Sequence, residues 1–199
     1  MTRMAALAPG FLIASPPLGD PNFERTLVLL VLHGPSGALG FVVNRRAPLS
    51  LGDVMGFAGY GPRAGAAEGA VCVGGPVEPG SGWILAPRAG VAPEGALYVS
   101  ERLWISSSRS AFDELARDLE PSDVGVPPLG TGRRMVFLGY AGWGPGQLEG
   151  EIAEGAWLPT PFDETILFDV PFERKWESAH ALIGVSPAMG IGMRFVGEA

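Results

Sequence analysis

A chain of 199 residues, 47 % hydrophobic and 18 % charged, has enough apolar content to bury one substantial core, which excludes a mostly disordered protein. The formal net charge is −7, and residues 149–177 carry eight acids against two bases. Such a surface lacks the cationic character that neutralises phosphates, so direct DNA binding is disfavoured. Cys72 is the only cysteine, which excludes an intramolecular disulfide. Within Ala70-Val71-Cys72-Val73 it reads as a small buried hydrophobe.

The segment from Thr2 to Ala14 is split by Pro9 and Gly10 and makes a poor signal peptide. No apolar run approaches the roughly 18 residues of a membrane helix. The expectation is a cytoplasmic protein with no membrane association. Gly 30 and Pro 19 punctuate strong apolar runs and read as tight turns.

The first half reads as strands. Phe11 to Ala14 is short and apolar. Thr26 to His33 is continuous rather than alternating, the pattern of a strand covered on both faces. Gly34-Pro35-Ser36-Gly37 is a turn, and Ala38 to Asn44 returns as the second arm of a hairpin. Ser50 opens a short helix with Asp53 at capping-box spacing, and Gly56 and Gly59 end it. Gly61 to Gly69 is a small-residue loop. Further strands are read at Ala70 to Val73, Trp83 to Ala86, Leu97 to Val99 and Leu103 to Ser106.

Ser107 to Leu119 is the clearest helix, with serine caps and Phe112, Leu115 and Leu119 on one face. A Pro-rich loop leads to a strand from Met135 to Gly139. That strand enters a loop carrying Gly139, Gly142, Gly144 and Gly146, with Trp143 and Pro145 inside it. Gln147 to Ala156 reads as a helix and Thr165 to Phe168 as a strand. Asp169 is placed to cap a last helix that turns Trp176, Ala179 and Ile183 inward and ends at Gly184. Ile191 to Val196 is a candidate final strand. No repeat and no long linker divides residues 1–199, so one domain is expected.

Chemistry-bearing motifs are sparse. The Gly-rich loop lacks the Lys-Ser/Thr of a Walker A sequence, and Gln147 replaces the third glycine of a dinucleotide fingerprint. Glu149 and Glu151 at the next helix start oppose a phosphate. Ser106-Ser107-Ser108-Arg109-Ser110 offers hydroxyls, a helix start and a guanidinium to an anion, or else a cap plus an Arg109–Asp113 pair. Gly74-Gly75-Pro76 reads as close backbone packing or a tight turn. Asn22, Arg25, Asn44 and Arg45 flank the hairpin strands, either lining a polar pocket or satisfying strand ends. His33 and His180 have no ligand partner at i+3 or i+4, so no metal site is expected. No G-x-S-x-G elbow supports a serine triad. No cofactor is indicated.

Six segments taken together resemble one family. They are Pro9-Gly10-Phe11-Leu12-Ile13-Ala14, Asp20-Pro21-Asn22-Phe23-Glu24-Arg25-Thr26, Gly40-Phe41-Val42-Val43-Asn44-Arg45, Gly74-Gly75-Pro76-Val77, Ser108-Arg109, and Leu138 through Glu149. In this order they resemble the bacterial AlgH/YqgE family, whose members carry a transcriptional-regulator label. The chain departs from the usual pattern at Trp104, Ile105 and Arg46. The resemblance implies an α+β fold with a strongly bent or bifurcated mixed β-sheet, partly barrel-like and surrounded by helices. It implies no established activity.

These residues lead to a non-enzymatic binding or regulatory protein acting through a protein partner or a small anionic ligand. Its candidate residues are Asn22, Arg25, Asn44, Arg45, Gly74, Gly75, Ser108, Arg109, Trp143 and Gln147, with Trp143 as an aromatic anchor. Two alternatives stand beside it: a hydrolase using Ser108 or Cys72 with Arg109 holding an anionic substrate, and a regulator that binds DNA directly.

Overall fold

The computed structural model describes residues 7–16, 18–61, 70–88, 90–119 and 133–185. Among them are nine strands and five helices. The candidate strand Ile191 to Val196, the small-residue loop beyond Gly61 and the Pro-rich loop before Gly132 lie outside the described residues. The chain divides into two compact units, Met1–Asn44 with Gly142–Ala199, and Arg45–Ala141.

In the first unit the strands are β1 (Gly10–Ala14), β2 (Leu27–Gly34), β3 (Gly37–Val42) and β9 (Trp157–Pro161). They order as β3-β2-β1-β9 with every pairing antiparallel. The expected hairpin is β2–β3. Leu30 pairs with Gly40 and Leu32 with Leu39, so Val31 is an extra residue in the ladder. Such a bulge bends the strand and re-aims the side chains past it; beyond Val31, Leu32 turns outward, 46 % exposed. Leu27 to Leu30 are wholly buried, as their unbroken apolar run predicts. Helix α5 (Phe172–Leu182) packs on β1 and β2, α3 (Gln147–Ala153) on β9 and β3, and α4 (Glu164–Phe168) on α5.

The second unit holds β4 (Ala70–Val73), β5 (Val77–Pro87), β6 (Leu97–Ser100), β7 (Leu103–Ser106) and most of β8 (Met135–Trp143). Its order is β6-β7-β5-β8, antiparallel throughout, and β4 adds to β8 in parallel. Helices α1 (Leu51–Phe57) and α2 (Arg109–Asp118) bring Val54, Met55, Ala111 and Leu115 into one core with Val71, Ile84, Trp104 and Val136. Ser50 and Asp53 form the full capping box expected for α1.

Strand β8 pairs with β4 in parallel and with β5 antiparallel, so the sheet of this unit is mixed. The α+β class and the mixed sheet are therefore as expected, but within each unit the strand path is open and does not close into a barrel. Three local expectations are corrected. Thr165 to Phe168 is helical: the Asp163 carboxylate accepts from the Thr165 and Ile166 N–H groups and caps α4, a stronger local signal than a four-residue apolar run. Asp169 closes α4 instead of opening α5, whose N-cap is Pro171. Gly139 and Gly142 lie inside β8, so the glycine-rich loop shrinks to Gly144, Pro145 and Gly146.

Candidate functional site

Beyond the Val31 bulge, the tip of the β2–β3 hairpin and Trp143 enclose an open recess of about 370 Å³ in the first unit. Leu32, Pro35, Ala38, Leu39 and Trp143 give it an apolar lining, and His33 and Ser36 bring polar side chains. The His33 imidazole Nε2 is 3.0 Å from Glu149 Oε1, on the first turn of α3. The Glu149 carboxyl is held below its usual pKa chiefly by its own backbone N–H, against the opposing effect of burial and with smaller help from His33. The carboxylate therefore stays ionised and fixes the orientation of the ring. Gly37, with φ +121°, closes the hairpin tip against the Trp143 carbonyl, an approach that no side chain permits.

The wall behind the recess is rigid. Trp143 is 6 % exposed. Its ring lies against Phe23 at 6.3 Å and meets Trp157 edge-on at 5.8 Å. The Trp143 and Trp157 indole N–H groups both donate to Glu151 Oε2, at 2.9 and 2.8 Å. Gln147 donates to Glu151 Oε1 at 2.9 Å and accepts the Gly144 N–H at 3.0 Å. The motif singled out in the sequence thus locks one tryptophan with its indole N–H already used. Trp143 is a wall of the recess and not a protruding anchor.

The other candidates of this unit are tied to its framework. The Asn44 side chain accepts the Leu27 N–H at 2.8 Å and donates to the Arg25 carbonyl at 2.9 Å. It holds Arg25 at φ +54°, where a non-glycine residue is strained. The Arg25 guanidinium lies 4.9 Å from the Trp176 ring centre and 3.5 Å from Glu177. The Asn22 N–H donates to Asp20 Oδ1 at 2.8 Å, shaping the turn that delivers Phe23 to the tryptophans.

Candidates in the second unit serve two purposes. The Arg45 carbonyl accepts the Val73 N–H at 2.9 Å, and the Gly74 N–H donates to the Leu138 carbonyl at 2.8 Å. Gly75 and Gly139 let two backbones touch: a Cβ on Gly139, at φ +70°, would stand 2.6 Å from the Gly75 carbonyl oxygen. Ser108 is the N-cap of α2, accepting the Ala111 N–H at 3.3 Å, and its hydroxyl also meets those of Ser106 and Ser110 at 3.0 Å. Arg109 lies over the Tyr60 ring at 4.7 Å and pairs with Asp113 at 3.5 Å. Tyr60 OH donates to the same carboxylate at 2.5 Å and lowers its pKa. The cap and the i, i+4 pair account for this segment without an anion. Cys72 is fully buried.

Of the sequence candidates in this unit Trp143 lines the recess, whereas His33, which also lines it, is considered in the sequence only as a metal ligand and set aside. The two ends of the His33–Glu149 bond are 116 residues apart, and no local pattern announces such a pair. Among the described residues no group of three His, Cys, Asp or Glu side chains is arranged to hold a metal ion, and no helix is long and apolar enough to cross a membrane.

A family model described as DUF179, AlgH-like, matches residues 11–188. A UPF0301 protein of Anaeromyxobacter sp. (strain K) is 45 % identical over 190 residues, covering 92 % of this chain and 91 % of its own. A UPF0301 protein of Myxococcus xanthus is 41 % identical over 187 residues, covering 94 % and 96 %. The solution structure of the AlgH protein from Pseudomonas aeruginosa aligns with a TM-score of 0.73 at 34 % identity, covering 100 % of this chain and 99 % of that one. A crystal structure from Corynebacterium diphtheriae, at 22 % identity and a TM-score of 0.63 over 88 % of this chain and 86 % of that one, shares the fold.

Proposed function

We propose that this chain, which belongs to the AlgH-like family, is a non-enzymatic binding protein that recognises a small ligand in the recess at the β2–β3 hairpin tip. One observation carries the reading: an open pocket of about 370 Å³ joins a largely apolar lining to the His33 imidazole, which Glu149 orients from outside that lining. Pockets of this size, mostly apolar with a few placed polar groups, are the common form of small-molecule sites. The rigid backing of Trp143 supports it further, since a preformed wall lowers the ordering cost of binding.

The hydrolase alternative loses its nucleophiles, because the Ser108 hydroxyl caps a helix and Cys72 is buried. A regulatory role would run through the ligand and a protein partner, consistent with the acidic composition. The family match spans both compact units, which supports reading the chain as one domain. We assign it to the cytoplasm, in keeping with its lone buried thiol. The test is a fragment screen with amide chemical-shift mapping on the isotopically labelled protein. Saturable hits should cluster on residues 32–39 and the Trp143 indole; hits scattered elsewhere, or none, would defeat the reading.

A further inference from the structure

The recess offers a ligand one titratable atom. His33 is the only ionisable side chain among the lining residues. Its Nε2 lies 3.0 Å from Glu149 Oε1, and an ionised carboxylate only accepts. Nε2 therefore carries a hydrogen whether the ring is neutral or charged, and the titrating proton comes and goes on Nδ1. Among the described residues the fully buried, unpaired side-chain atoms are Arg134 Nη1, Thr160 Oγ1 and His180 Nε2. His33 Nδ1 has no partner among the described residues either, yet is not one of these, so it opens outward from the lining. Across the β2–β3 ladder His33 faces the uncharged Ala38. From α3 it meets Glu149, while both Glu151 oxygens are taken by the two indoles and Gln147. Glu149 is thus the one charge bonded to the ring among the described residues.

The two states of the ring treat an anion in opposite ways. A neutral imidazole turns a lone pair to the recess, with the Glu149 charge behind it uncompensated, and repels a carboxylate. A charged imidazole balances Glu149 and turns an N–H to the recess, where a carboxylate gains a charge-assisted hydrogen bond. A hydroxyl donates to the first and accepts from the second, so it is indifferent to the change. Resting on the reading of this recess as a ligand site, we infer that it binds a small carboxylate with a compact apolar body, admitted by the proton on His33 Nδ1. The apolar body lies among Leu32, Pro35 and Leu39.

The probes are 3-phenylpropionate and 3-phenylpropan-1-ol, titrated into the full-length labelled protein at several values between about pH 5.5 and 8, where histidines change charge. Amide shifts at residues 32–39 report binding, and the His33 ring signals in the same samples report its protonation. The carboxylate should bind about tenfold more tightly at the acid end than at the alkaline end, the factor of one charge-assisted hydrogen bond. Its affinity should fall in step with deprotonation of the His33 ring, while that of the alcohol stays level. His33→Gln should flatten the pH dependence of the carboxylate. If carboxylate affinity is level across the range, or changes out of step with the His33 ring, the proton gate falls, and the pocket stands so long as the alcohol saturates at residues 32–39. If neither probe saturates there, the pocket reading falls with it.

Discussion

The indole N–H of Trp143 is directed at the carboxylate of Glu151, 2.9 Å away, and the same oxygen takes the Trp157 N–H at 2.8 Å. One acidic side chain thereby ties the end of β8 to α3 and β9. Replacing it with an apolar group strands two indole donors, both on rings less than a tenth exposed. Each unsatisfied buried donor costs about 1–3 kcal/mol, so Glu151→Ala should lower stability by roughly 2–5 kcal/mol. Urea denaturation monitored by tryptophan fluorescence checks this. An unchanged midpoint would mean that the carboxylate does not tie these elements together.

Glycines in this chain divide by what surrounds them. A Cβ on Gly139 would press on the Gly75 and Val77 carbonyl oxygens at 2.6 and 2.8 Å, at a positive φ. Gly139→Ala should cost about 2–5 kcal/mol from backbone strain and overpacking together. Gly150 lies within α3 with nothing inside 4 Å of its Cβ position. Gly150→Ala should raise stability by about 0.4–1 kcal/mol through the unfolded chain and helix propensity. Thermal melts of the pair check the contrast, and a shared sign would contradict the close approach of β8 to Gly75.

The contrast also shows where sequence reasoning stopped. Gly139 and Gly142 carry loop-like composition, yet they are strand residues because another stretch of backbone comes up against Gly139, and one segment read alone cannot reveal its neighbour. The hairpin, the Ser50–Asp53 box and the Ser108 cap were legible because their partners lie within a few residues. The α4 helix was missed where the Asp163 cap outweighed an apolar run that fits a strand equally well. The recess was least legible of all: its hairpin tip and its Trp143 wall come from segments far apart in the chain.

Asn44 acts as a clamp on a strained residue. Its amide serves Leu27 N–H and the Arg25 carbonyl at once, while Arg25 holds φ +54°. Asn44→Ala removes both bonds and should cost about 1–3 kcal/mol. Arg25→Gly in the same background should recover part of the loss by relieving the left-handed backbone. A double-mutant cycle by chemical denaturation measures the coupling, and strict additivity would show that the clamp and the strained residue are independent.

Two carboxyls give the fold an acid-side signature. Asp53 is held below its usual 3.8 by the Ser50 hydroxyl and then the Ser50 N–H. Glu149 is held below its usual 4.5 by its own N–H and His33. A carboxyl with a depressed folded pKa contributes stability above its unfolded value and loses it as pH falls through the folded one. The deficit of Asp53→Ala relative to wild type should be full at pH 6 and shrink below about pH 3.8. Melting curves across this range check it; a deficit unchanged at the acid end would place its origin outside the ionised carboxylate.

The Ser108–Arg109 segment separates a structural role from a chemical one. Ser108 meets two serine hydroxyls and the Ala111 N–H, and none of these can take its proton as a general base. Arg109 is 72 % exposed on its side chain and already engaged with Asp113 and Tyr60. Ser108→Ala should therefore cost about 1 kcal/mol, the usual worth of an N-cap, and Arg109→Ala no more than about 0.5 kcal/mol. Neither should alter ligand binding at the hairpin recess, and neither the wild type nor these variants should hydrolyse ester, amide or phosphate substrates above background. Turnover abolished by Ser108→Ala, in a variant whose melt shows only the loss of a cap, would overturn this and make the serine a nucleophile.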